Sequence, residues 1–168
     1  KLLHKKNAKL TVPIASVTKL MTAMVILDRK LPMDERVTIT KADRDLLRLT
    51  GSRLRVGSRL TRGELLTLAL MSSENRAAAA LARTYPGGRE VFINDMNRKA
   101  VALGMYDTRF ADSSGLDAGN VSTAHDLSNM VFAAMRYPAI RKATTRTKLS
   151  VFRAADGKPV KHIAPVGE

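Results

Sequence analysis

The stretch "PIASVTKLMTAMVILD", residues 13–28, decides how this chain is read. Ser16 and Lys19 stand three apart at its start, and an almost unbroken apolar run follows. The pattern predicts a helix over residues 16–31, stopped by Pro32, because a proline disfavours helical geometry in the residue before it. A helix that is apolar on nearly every face is buried on all sides. Side chains three apart share a helix face, with Cβ atoms about 5–6 Å from one another. Ser16 falls at the helix N-terminus, where free backbone N–H groups favour developing negative charge. Lys19 can take the hydroxyl proton only when neutral, and burial against Ile14, Leu20 and Met21 would depress its pKa. The alternative is a serine cap followed by a solvated lysine.

A second constellation lies in "LLTLALMSSENRAAAALA", residues 65–82, where polar residues interrupt two apolar helical runs. A buried break leaves backbone groups that need partners. Ser73 and Asn75 can supply them, and can also present a hydroxyl and an amide to a cleft. The plainer reading makes Ser72 or Ser73 the cap of the following helix. A lysine base needs a second proton carrier near the leaving group, which ties the two constellations together. Glu74 is expected to point away from Lys19, since a carboxylate there would favour the ammonium.

Length and composition narrow the function classes. The 168 residues fit one domain with a substantial core. Aromatics make up 4% with no Trp, so the core must rest on aliphatic side chains and the eight Met. The net charge of +14 favours anionic surroundings such as nucleic acid, anionic membrane or wall polymer. The basic segments 44–62 and 141–148 lack interleaved aromatics and any RNA-binding signature, so they read as solvated faces. The absence of Cys excludes disulfides and thiolate metal sites. His4, His125 and His162 are far apart and have no metal-ligand spacing, and nothing nominates one for a Ser-His-Asp triad. No apolar run reaches the roughly 20 residues of a membrane helix, and no secretory leader is expected within these residues, as in a mature secreted protein.

Around these stretches the pattern predicts further elements. "KLLHKK" reads as a strand end and "KNAKL" as a turn, and "ERVTIT" (35–40) as a short strand. Thr61 and Glu64 have capping-box spacing and open a helix through Met71. Helices follow over residues 76–85 and 89–103, the latter closed by a left-handed Gly104. "DSSGLDAGN" (112–120) is a loop by composition. Thr123 and Asp126 repeat the cap spacing and start a helix that ends near Tyr137-Pro138. The tail holds two β-like runs around a hairpin signal at Asp156-Gly157.

Three segments, "KNAKLTVPIASVTKLMTAMVILD", "LMSSENRAAAALARTYPGG" and "LGMYDTRFADSSGLDAGNVSTAHDLSNM", resemble in this order the low-molecular-mass penicillin-binding proteins, the serine-type D-alanyl-D-alanine carboxypeptidases and endopeptidases. The middle segment is more similar to the endopeptidase branch, and the resemblance covers roughly residues 5–140. It implies an α+β, β-lactamase/DD-peptidase-like fold, here a single partial domain over residues 1–168. This would be mostly the helical part, with an incomplete antiparallel sheet. Carried over residue by residue, Ser16 would be the acylated nucleophile and Lys19 its base. Ser73 would relay a proton to the leaving amine, and Asn75 would bind the substrate backbone. The implied substrate is a peptidoglycan stem peptide or cross-link in the periplasm, with β-lactams acylating Ser16. Neither metal nor organic cofactor is implied, nor nucleic acid. The family's third motif, Lys-Thr-Gly on a strand, is absent from these residues, which leaves a non-catalytic wall-binding domain as the alternative.

Overall fold

A computed structural model describes residues 10–49, 51–145, 149–152 and 159–163. The first turn of the decisive stretch is a 3-10 turn over Ala15–Val17, and the α-helix proper, α1, is Thr18–Asp28. The helix stops short of Pro32, because Lys30 turns the chain left-handed with φ 54°. Eight of its eleven residues are buried: Thr18, Lys19, Met21, Thr22 and the run Ala23 to Ile26. Helices α2 (Arg62–Met71), α3 (Asn75–Arg83), α4 (Gly88–Ala102), α5 (Ala124–Ala134) and α6 (Pro138–Thr145) all pack against α1. A central helix ringed by others needs no polar face.

The core around α1 is aliphatic and rich in methionine, as the composition requires. Met21, Met24, Met96 and Met130 are fully buried, with Phe92 and Phe110 as its large aromatics. Unbranched Met side chains fill the irregular gaps between helices that cross at several angles. At the rim, Lys99 on α4 bonds Asp28 at the end of α1 (2.8 Å) and the Tyr137 hydroxyl (3.0 Å), clasping three segments together.

Among the described residues the strands form three antiparallel pairs. β1 (Val12–Pro13) pairs with β4 (Val121–Ser122), placing the entry to α1 beside the 112–120 loop. β2 (Arg36–Thr38) pairs with β3 (Arg59–Thr61), and Val37 lies opposite Leu60 with both facing the core. β5 (Leu149–Phe152) pairs with β6 (Pro159–Ile163), as the tail pattern predicts. The Asp156-Gly157 turn itself, and the strand end and turn expected in residues 1–9, lie outside the described residues. One helix escaped the sequence reading. The chain stops α5 at Ala134 and resumes at Pro138, whose fixed φ suits a first helical position.

Caps set where the helices begin. The Thr61 hydroxyl accepts from the Glu64 N–H (3.1 Å), and the Glu64 carboxylate accepts from the Thr61 N–H (2.8 Å). Thr123 accepts likewise from the Asp126 N–H (3.1 Å). Removing the Thr61 hydroxyl in Thr61→Ala is expected to cost about 1 kcal/mol, read as a lower midpoint in urea with an unchanged slope.

Candidate active site

Ser16 sits in the 3-10 turn and is exposed, while Lys19, one turn on, is only 2% exposed. The lysine Nζ donates to Ser16 Oγ at 3.3 Å and to the Ser114 carbonyl at 2.8 Å. Burial holds its pKa down at about 8, against the attraction of Asp112 and then of Glu74, both of which favour the ammonium. Desolvation therefore wins over two nearby carboxylates. Glu74 does not pair with Lys19: it accepts from the Ser52 hydroxyl and from the Arg76 N–H. The neutral amine that a base requires is thus accessible near pH 8, with Nζ 3.3 Å from Ser16 Oγ.

The α2–α3 junction does not follow the simple capping pattern. Ser72 closes α2 and Glu74 is the N-cap of α3, so neither serine caps the second helix. Ser73 stands between the helices at φ 52°, a left-handed conformation that costs a non-glycine residue about 1–2 kcal/mol. Ala15, directly before Ser16, is left-handed as well, at φ 48°. Of the four left-handed non-glycine residues among the described ones, one precedes the candidate nucleophile and one is the candidate proton carrier. Such outliers persist only where the surroundings impose them, and they cluster at functional sites. Asn75 opens α3 and lines a cavity together with Ser114, on the side of the loop that holds Lys19. His125 is exposed on α5, and no cluster of metal-ligating side chains occurs among the described residues.

The sequence reading left the 112–120 segment as a plain loop, yet it builds one wall of the site. Asp112 accepts from the Ser114 hydroxyl (2.5 Å), the Gly115 N–H (2.8 Å) and the Asn120 amide. Asn120, fully buried, accepts in turn from the N–H groups of Ala111 (2.8 Å) and Asp112 (3.2 Å). This knot fixes two outward carbonyls: Ser114 receives Lys19, and Ser113 receives the Thr22 hydroxyl of α1 at 2.7 Å. The Ser113 hydroxyl donates across to the Ala78 carbonyl of α3 (2.8 Å). Gly115, at φ 91°, lies so close to the serine turn that a Cβ there would stand 1.9 Å from the Ala15 carbonyl oxygen. The signal in the sequence was the density of Asp, Ser and Asn around two glycines, which composition alone cannot tell from a solvated turn.

A family model described as D-alanyl-D-alanine carboxypeptidase (peptidase S11) matches residues 1–162. The chain belongs to this family. It is 52% identical over 154 residues to a D-alanyl-D-alanine endopeptidase of Pseudomonas aeruginosa, covering 91% of this chain and 50% of that protein. A D-alanyl-D-alanine endopeptidase of Escherichia coli is 47% identical over 153 residues, covering 90% of this chain and 49% of the relative. The chain thus spans about half the length of the curated relatives it matches. Among solved structures, a Streptomyces DD-transpeptidase superposes with a TM-score of 0.81 at 29% identity, covering 93% of this chain and 64% of that one. The architecture is accordingly α+β and DD-peptidase-like, rich in helix, with a small open antiparallel sheet.

Two substitutions probe the wall. Gly115→Ala must both hold a left-handed φ and move the serine turn, so a loss of at least about 2 kcal/mol is expected by denaturant unfolding. Asp112→Asn can keep the loop's hydrogen bonds while removing a charge that favours the ammonium. The Lys19 pKa is then expected to fall below its present value of about 8, followed by NMR of the lysine side-chain carbons against pH. A rise would mean that the carboxylate acts on Lys19 in some other way than by its charge.

Proposed function

We propose that the protein is a serine DD-peptidase that hydrolyses D-alanyl bonds in peptidoglycan stem peptides or cross-links through an acyl-enzyme. The observation that carries this is an exposed hydroxyl 3.3 Å from a buried amine whose pKa is brought down to about 8. In the reaction, Ser16 Oγ attacks the D-alanyl carbonyl carbon while its proton passes to Lys19 Nζ. The Ser16 N–H at the helix start is one donor for the oxyanion. Collapse of the tetrahedral intermediate breaks the C–N bond, and Ser73 relays a proton to the leaving amine. Water then attacks the ester, and Ser16 is released with its proton restored. Asn75 hydrogen-bonds the peptide backbone of the substrate and fixes its register.

Relatives named as endopeptidases favour a cross-link as the scissile peptide. β-Lactams, which present a strained amide in place of the D-alanyl bond, acylate the same oxygen. The family acts on the cell wall, so the site of action is extracytoplasmic, and we place it in the periplasm. Among the described residues no helix is long and apolar enough to cross a membrane.

Labelling with a fluorescent penicillin tests the assignment. Ser16→Ala is expected to abolish the label while the fold survives, since the hydroxyl caps no helix and the loss of its bond from Lys19 leaves that amine on the Ser114 carbonyl. Stoichiometric labelling of that variant would overturn the nucleophile. Lys19→Arg is expected to be as damaging as Lys19→Ala, because a guanidinium keeps its proton throughout this pH range. In the unsubstituted protein the acylation rate should climb with pH through about 8, as Lys19 loses its proton. A flat profile there would remove Lys19 as the base.

A further inference from the structure

Behind the loop that holds Lys19 lies a cavity of about 370 Å³, with Asn75 and Ser114 on the side of the candidate active site. Its opposite wall is the segment after β2, where Leu46 and Leu47 stand 80% and 63% exposed. These leucines are not on a loose strand. The Asp45 carboxylate accepts from the N–H groups of Leu47 (2.8 Å) and Arg48 (2.9 Å), which folds the segment back on itself. The root of the segment is pinned by the reciprocal Thr40–Asp43 cap.

Charge in this cavity is unevenly satisfied. Arg83 and Asp43 are locked together by two bonds of 2.8 and 3.0 Å. Asp112 is held by the three donors of its own loop, and Asp117 accepts from the Gly119 N–H at 2.7 Å. Arg44 and Arg89, both solvent-exposed, line the cavity with the Asp45 carboxylate, and neither arginine makes an ion pair among the described residues. Arg89 stands in the first turn of α4, where the helix dipole disfavours a cation. Two exposed guanidiniums without an ion-pair partner among the described residues, beside apolar side chains and an amide shared with the proposed active site, fit a peptide that carries a carboxylate, the Asp45 carboxylate being turned to the N–H groups of its own segment. Guanidinium forks bind carboxylates through paired, charge-assisted hydrogen bonds.

We propose that Arg44 and Arg89, with Leu46 and Leu47, form a subsite for a free carboxylate on the substrate peptide, remote from the bond that is cleaved. This rests on the DD-peptidase reading and deepens it: the enzyme selects acidic wall peptides over their amidated forms. Binding there fixes the peptide on the far side of Asn75, so that energy from a non-reacting part of the substrate orients the D-alanyl carbonyl.

The test measures binding, without turnover. In the Ser16→Ala protein, the affinity of a D-Ala-D-Ala peptide with one upstream side-chain carboxylate is compared, by calorimetry, with that of its carboxamide twin. The acid is expected to bind about tenfold more tightly. Adding Arg44→Ala and Arg89→Ala should bring that ratio to about one, Arg44→Glu and Arg89→Glu should invert it, and the paired lysine substitutions should keep part of it. No preference in the Ser16→Ala parent, no binding of either peptide, or a preference that survives loss of both arginines would overturn the subsite. Failure of the DD-peptidase reading shows separately, as the absence of penicillin label on Ser16.

Discussion

An ammonium group buried to 2% exposure is the constraint around which this molecule is arranged. A lysine in that position costs stability unless it finds hydrogen-bond partners or loses its charge. Here it does some of each. The Ser114 carbonyl and Ser16 Oγ take its hydrogens, and desolvation brings the pKa down to about 8. Five helices packed around α1 supply the dry surroundings. The knotted 112–120 loop supplies the one carbonyl placed to meet the amine. Without the ring of helices the lysine would be solvated and protonated. Without the loop, its donors would have no buried acceptor at that end.

Two carboxylates near a would-be base look like a contradiction, since both Asp112 and Glu74 pull Lys19 towards its charged form. The structure resolves it by engaging each carboxylate elsewhere. Glu74 caps α3 and takes the Ser52 hydroxyl, and Asp112 draws three donors from its own loop. Hydrogen-bonded in this way, the carboxylates act on Lys19 through space and not by contact, which leaves a pKa that neutral pH can approach. The same loop has its other side on the arginine-lined cavity, so the base and the proposed peptide subsite share a wall.

Much of this was legible in the chain. The apolar run after Ser16 gave the central helix, and its lack of a polar face gave the burial of Lys19. Capping patterns at Thr61 and Thr123 located two helix starts, and Gly104 a helix end. What escaped depended on contacts distant in sequence. Helix α6 begins at Pro138, which read as a terminator and not as a first turn. An all-apolar helix states only that it is covered and not by what, so the ring of five helices around α1 could not be read from it. The wall at residues 112–120 looked like a solvated turn because buried and exposed polar clusters have the same composition. Only Gly115, pressed against Ala15, and Asn120, with every amide group engaged, reveal which it is.

The acceptor that holds Lys19 belongs to the main chain, and this has a consequence for how the sequence can drift. A carbonyl at position 114 survives any side-chain replacement that leaves the loop's path intact. The lysine's environment is therefore not written in one residue, and it can persist while the surrounding letters change. Tolerance ends abruptly one residue later, where no side chain at all fits between the loop and the serine turn. A mutational scan of this segment should accordingly be uneven: replacements at position 114 cost what the hydroxyl's bonds with Asp112 and the Leu116 N–H contribute, while none is tolerated at the glycine that touches nothing chemical.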